Sequence, residues 1–279
     1  VATDQSNIEV STGEVLTEYQ ILEGMLVHSA NNFADLLAIW DTGSIVAFVQ
    51  KMNAVAVSLG MAHTQYADAS GYSSASVSSP LDQLKVARLD MENPVFAQIV
   101  TMPTVTLPVS GTVGSFTPLL GLDGVVGIKS GFTSAAGGCD VLALQQRVAG
   151  QEVEVLAVVV GDHVGDDVIT GAGLEALSIA RPVVGDVRAV ALVPRGQRVA
   201  TASTSGRSVP VVTRSSASTL GWPGQRITRS IDVVRRPRLG APAGWRVGSV
   251  TIRLGPQKIK VPIGTSGRLP TLSFWQRVL

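Results

Sequence analysis

At 279 residues, 45% hydrophobic and 15% charged, the chain can bury a sizeable core and is long enough for two domains; its composition argues against disorder, and its longest apolar run, at 155–161, is far short of the ~20 residues of a membrane helix. The single cysteine, Cys139, excludes an internal disulfide and a CxxC metal or redox site, and the amino terminus, VATDQSNIEV, lacks the basic-then-apolar pattern of a signal peptide. The formal net charge of +1 hides a division: residues 1–186 carry 20 acidic and 6 basic side chains, whereas residues 187–279 carry 16 basic ones and Asp232 alone as acid, which points to two modules, the basic one facing an anionic partner or the acidic module.

From Thr17, placed as an N-cap, Ile21, Leu22, Met25 and Leu26 recur at helical spacing up to His28. Asn32 can cap a second helix through Trp40, and Ser44 a third to about Leu59, where Gly60 supplies a stop. The stretch 60–79, GMAHTQYADASGYSSASVSS, is rich in turn and hydroxyl residues without periodicity and reads as a long ordered loop, a class that often carries function. Pro80–Met91 reads as a fourth helix. After Pro94–Val100 come β-rich runs at 104–109, 125–132, 139–148 and 153–161, then a last helix at Leu174–Ala180 that could cover the sheet, giving an α+β layered domain. From Val187 onward, strands alternate with Gly and Pro turns, as at 188–194, 208–213, 249–254 and 259–264, which predicts a small all-β domain. Within it GRSVPVVT and QKIKVPIGTSG are weakly alike, as a duplicated hairpin would be. The predicted domains are 1–183 and 184–279. Trp222, Trp245, Phe274 and Trp275 are better used as the core of the β domain than as base-stacking platforms, so nucleic acid is not the expected partner.

Two short motifs can carry chemistry. Ser29 and Asn31 are two apart, so a helix would point them to nearly opposite sides whereas an extended segment puts them on one face; the motif therefore calls for the loop between the first two helices. There the hydroxyl could relay a proton and the carboxamide grip an amide. Taken alone, the pair reads as a helix end with capping residues. Lys129-Ser130-Gly131 follows Val125, Val126 and Ile128, which puts a cation and a hydroxyl at or near a sheet edge, where Gly131 permits a peptide to lie against the strand. In isolation K-S-G reads as a charged edge that deters aggregation, and the spacing of Gly127 and Lys129 does not fit a phosphate loop. His28 suits a helix C-terminus, His63 and His163 sit in loops without a shared metal spacing, and Cys139, within an apolar strand, reads as a small core residue; no metal or cofactor is expected.

Both motifs and their flanks, LTEYQILEGMLVHSANNFADLLA, FVQKMNAVAVSLGMAHTQYADASGY and DGVVGIKSGFTSAAGGCDVLA, make the chain similar to the serine-type D-Ala-D-Ala carboxypeptidases. These are the low-molecular-mass penicillin-binding proteins of the β-lactamase-like superfamily, with the signature S-x-x-K, S-x-N and K-[TS]-G. The resemblance covers about Ser11 to Gly161. It implies a β-lactamase/transpeptidase-like domain with a helical part and an antiparallel sheet, an extracytoplasmic location, a peptidoglycan stem peptide ending in D-Ala-D-Ala as substrate, and β-lactam antibiotics as acylating inhibitors. It also implies a serine that is acylated, releases D-alanine and is freed by water. In that scheme Ser29 assists proton transfer, Asn31 binds the substrate amide, Lys129 supplies positive potential, Ser130 holds the terminal carboxylate beside Gly131, and the N–H of Phe132 forms half of an oxyanion hole.

One part of the signature is missing: the residues three before Lys51, Lys85, Lys129, Lys258 and Lys260 are Phe48, Asp82, Val126, Gly255 and Gln257, none of them serine. The expectation is a domain incomplete at its N-terminus, inactive alone, whose nucleophile lies on an upstream segment that is itself a partner, with a large apolar groove where a core helix would sit. No Arg or Lys occurs from Val148 to Ala180, so carboxylate recognition falls to Lys129 and Ser130. The alternative is a noncatalytic wall- or partner-binding protein that uses the residual cleft, with the basic domain set against an anionic wall polymer or membrane surface.

Overall fold

Capping chemistry starts each of the first helices. In the computed structural model, which describes residues 5–204, 207–234, 238 and 240–269, Thr17 opens α1 (Glu18–Val27) with a reciprocal capping box to Gln20. α2 (Asn31–Thr42) begins earlier than an Asn32 cap would allow, with Ala30 at the N-cap and no side-chain cap. The Asn32 carboxamide is used elsewhere, accepting from the Ile8 N–H at 3.1 Å and donating to the Ile8 carbonyl at 2.8 Å, as a neighbouring strand would. Ser44 caps α3 (Ile45–Ser58), Ser79 caps α4 (Pro80–Met91) and Asn93 caps α5 (Pro94–Val100), the last two with proline in the first turn.

The loop 60–79 is ordered from within. The Asp68 carboxylate accepts from Ser70 Oγ at 3.0 Å, the Tyr72 N–H at 2.7 Å, the Ser73 N–H at 3.1 Å and Ser76 Oγ at 2.6 Å. Buried Asp82 ties the loop's start to α4 by accepting from the His63 N–H and Thr64 Oγ1.

Strands β1 (Thr104–Leu107) and β2 (Gly111–Gly114) pair with each other. β3 (Val125–Thr133), β4 (Gly137–Val148) and β5 (Gln151–Asp162) form a sheet in that order, so β3 and β5 are its edges. The antiparallel β3–β4 register sets Ser130 opposite Asp140 and Gly131 opposite Cys139. α6 (Val168–Asp186) is longer than the Leu174–Ala180 read from sequence. Gly171 and Gly173 masked its first turns, yet they are where the helix runs close to its neighbours: a Cβ at Gly171 would lie 2.5 Å from Asp162 Oδ2. Buried Phe33, Ile8 and Leu107 form one part of the core, and Ile128, Ala143 and Val100 another. An apolar groove of about 490 Å³, lined by Leu37, Trp40, Phe48 and Val55 among others, lies open between α2, α3 and α4, with Trp40 67% exposed.

Chain contacts divide the protein into two units, Val1–Arg147 with Glu152–Val184, and Val148–Gln151 with Gly185–Leu279. The second is all-β. Strands β6 (Arg188–Val193) and β9 (Ala217–Gly221) pair with each other; β7 (Arg198–Thr204), β8 (Arg207–Thr213), β10 (Ile227–Val233), β11 (Arg246–Leu254) and β12 (Gln257–Thr265) form an antiparallel sheet in the order β10-β11-β12-β8-β7. The two weakly similar pieces are β8 and β12, which pair with Thr213 opposite Ile263. The described core of this unit is aliphatic, with Leu192, Val211, Ile252 and Ile263 at its centre, and takes in neither Trp222 nor Trp245, which the sequence suggested for it. Trp222 is half-exposed, and Trp245 lies under the Arg238 guanidinium, 5.1 Å from the ring centre. Phe274 and Trp275 fall outside the described residues. The architecture is thus the expected α+β arrangement of helices and antiparallel sheet with an all-β unit.

Candidate active site

Ser29 sits between α1 and α2 with φ at 59°, a left-handed conformation that a non-glycine residue holds only where its surroundings over-determine it. They do so here. Ser6 Oγ donates to the His28 carbonyl at 2.9 Å and the Asn31 N–H donates to the Ser6 carbonyl at 2.8 Å, so residue 6 staples both sides of the motif. On the other flank the Phe116 N–H donates to the Val27 carbonyl, and the His28 ring meets Phe116 edge-on at 5.0 Å. Asn31 is not in the loop, as the spacing suggested, but is the first residue of α2; the turn at Ser29 nevertheless brings both residues to the lining of one cleft.

β3 supplies the other motif. Lys129 Nζ donates to Ser29 Oγ at 2.6 Å and to the Ser130 carbonyl at 2.8 Å, joining residues 100 apart in the chain. Burial pushes the lysine down to about 8, against the opposing pull of the Asp140 charge. Ser130 is buried and donates to Asp140 Oδ1 at 2.5 Å, directly across the strand pair. Asp140 is buried as well: desolvation raises it to about 6 although the Ser130 hydrogen bond and Lys129 both favour its charged form. A side chain at Gly131 would meet nothing within 4 Å, so open space adjoins the strand edge at that point, and Phe132 beside it is 53% exposed. Cys139 is not the core residue expected. It is partly exposed and lines the cleft, because Gly131 opposite has no side chain to cover it.

The cleft measures about 620 Å³ and also takes in Ser70, Gly71 and Tyr72 from the Asp68-organised loop. Among its lining residues Lys129 is the one cation and Asp140 the one carboxylate. Arg181, the next basic residue after the cation-free stretch, pairs instead with Asp123. Among the described residues no group of three or more His, Cys, Asp and Glu could hold a metal. Because Lys129 donates to Ser29, the serine's own proton is free to turn toward the cleft, where it can protonate a departing nitrogen. Sequence reading missed Ser6 and Asp140; the signal for the second was a lone acid inside the apolar run 139–144.

A family model for D-alanyl-D-alanine carboxypeptidase matches residues 1–164. The chain is 35% identical over 136 residues to the D-alanyl-D-alanine carboxypeptidase DacB2 of Mycobacterium tuberculosis, a match covering 46% of each protein. It is 34% identical over 128 residues to a D-alanyl-D-alanine endopeptidase of Escherichia coli, covering 42% of this chain and 40% of the relative. The chain thus spans less than half the length of these curated relatives. The structure of the D-alanyl-D-alanine carboxypeptidase DacD from Francisella tularensis superimposes with a TM-score of 0.61 at 19% identity, covering 97% of this chain and 79% of that one, a likeness of fold.

Proposed function

Because the chain belongs to the D-alanyl-D-alanine carboxypeptidase family, we propose that it forms the substrate-holding part of a serine-type enzyme that trims D-Ala-D-Ala stem peptides of peptidoglycan outside the cytoplasm. The observation that carries this reading is the 2.6 Å contact between Lys129 and Ser29, which joins two distant motifs in one cleft beside an open strand edge. A stem peptide would lie along β3 past Gly131, its amide held by Asn31 and the reacting carbonyl oxygen by the Phe132 N–H. Lys129 stabilises the negative charge that develops there, and Ser29 passes its proton to the D-alanine nitrogen as the bond breaks. The 16 basic residues of 187–279 would meet an anionic wall polymer or membrane surface.

No lysine of this sequence sits in an S-x-x-K motif, so on this reading the 279 residues alone form no acyl-enzyme. Fluorescent penicillin should label the protein when it carries or is joined to an S-x-x-K segment, and should leave the isolated chain unlabelled. In the labelled form Lys129→Ala should slow acylation by ~100-fold or more, the loss typical of a removed charge-stabilising group. Labelling of neither form refutes the enzyme reading. Labelling of the isolated chain refutes the need for an added serine, and an unchanged rate in Lys129→Ala refutes the lysine's role.

A further inference from the structure

We propose that Asp140 decides whether the cleft accepts a C-terminal carboxylate: ionised, it reserves the site for peptides whose chain continues; protonated, it admits a free carboxylate. The inference rests on the reading of the cleft as a stem-peptide site. A hydroxyl has one proton to give, and Ser130 spends it on Asp140 Oδ1 at 2.5 Å. An arriving carboxylate then meets only lone pairs at Ser130. It also meets a cleft whose one cation, Lys129, is balanced by its one anion, Asp140. Protonation of Asp140 reverses both conditions. The new carboxyl O–H donates to Ser130 Oγ, the Ser130 proton turns into the cleft, and Lys129 is left uncompensated.

The groups that face Asp140 leave few rivals for this control. From β3 come Lys129 and Ser130. From α6, Gly173 lies alongside, where a Cβ would sit 3.9 Å from the Asp140 Cγ, while Glu175 on that helix is exposed. Asp162 ends β5 beside Gly137, where its carboxylate accepts from the Val164 N–H, and His163 adjoins Gly137. Burial raises Asp140 to about 6 while Lys129 stays near 8, so the carboxylate changes charge in a range where the lysine remains a cation. A peptide carboxylate is ionised throughout that range.

The test is an NMR titration of the isotope-labelled chain with N-acetyl-D-alanyl-D-alanine and with its C-terminal amide, at pH 5 and pH 7. If only the protonated form is competent, the competent fraction falls about tenfold between these pH values, and apparent affinity for the carboxylate ligand falls with it, by up to about tenfold. The amide should bind equally at both. Asp140→Asn should bind the carboxylate ligand at the tight limit at both pH values, and Asp140→Leu, which also frees the Ser130 proton, should do the same. A slope shared by the amide overturns the proposal. So does a slope that survives in either variant. Binding of both ligands without any slope removes the role of Asp140 alone, whereas binding of neither at any pH refutes the stem-peptide reading and this proposal together.

Discussion

Replacing Asp68 separates a loop held by charge from one held by packing. Four donors converge on this carboxylate: Ser70 Oγ and the Tyr72 and Ser73 N–H groups on Oδ2, and Ser76 Oγ on Oδ1. Asp68→Ala removes all four bonds at a partly exposed site, where each contributes about 1 kcal/mol rather than the larger value of a buried charged bond; the loop should be loosened by about 3 kcal/mol, allowing for waters that take up some donors. Asp68→Asn can keep its carbonyl toward the three Oδ2 donors, and its amide then faces only the Ser76 hydroxyl, which rotates to accept; that change should cost about 1 kcal/mol. Amide hydrogen exchange at Tyr72 and Ser73 reads the difference, since 1.4 kcal/mol is tenfold in an opening equilibrium: exchange should quicken on the order of 100-fold in the alanine variant and about fivefold in the asparagine variant. The wild type adds a control in acid. Burial raises the Asp68 carboxyl, but the hydrogen bonds from Ser76, Ser73, Ser70 and Tyr72 together outweigh it and leave it below its ordinary value of 3.8. Its stabilisation is therefore complete above that value and is lost as pH falls through the lowered native one; the protonated carboxyl still accepts through its carbonyl oxygen, so protection in acid should fall toward that of the asparagine variant. Equal exchange in the two variants, or full protection of Tyr72 in Asp68→Ala, would refute the reasoning.

Two glycines should behave in opposite ways. Gly131→Ala adds a methyl group that meets nothing within 4 Å, so urea unfolding should shift by less than about 0.5 kcal/mol while affinity for N-acetyl-D-alanyl-D-alanine drops at least tenfold; unchanged affinity would place the ligand away from β3. Gly138→Ala would put its Cβ 1.9 Å from the Val168 carbonyl oxygen, a backbone atom that moves only if the start of α6 moves with it. That substitution should destabilise the N-terminal unit by about 3 kcal/mol or more, and near-wild-type unfolding would mean that α6 does not pack as closely as described.

Local rules reached the helices because their caps are local. Thr17 and Ser44 each sit three residues before the N–H they satisfy, so spacing alone finds them, and Ser79 follows the same rule. The same logic failed at Asn32, whose carboxamide is claimed by the Ile8 backbone 24 residues away, and at the start of α6, where Gly171 and Gly173 serve a neighbour rather than the helix. The two motifs were legible as motifs, and β3 did arise where the β-rich run at 125–132 predicted it. Their meeting was not, since nothing in the sequence measures the distance from Lys129 to Ser29. Cys139 and Asp140 show the cost most plainly: both lie in one apolar run, and only the strand register reveals that one faces a missing side chain and the other a serine hydroxyl.

The outer edge of β5 has consequences for the protein in the tube. Twelve residues long, it has no strand against that side among the described residues. Glu152 and Glu154 guard its beginning, but from Val155 to Gly161 no charged side chain interrupts it until Asp162. An unpaired apolar edge of this length is a template for another chain. Purified alone, the protein should associate through β5 in a concentration-dependent way, and a lysine placed at Val158 or Val160 should restore the monomer.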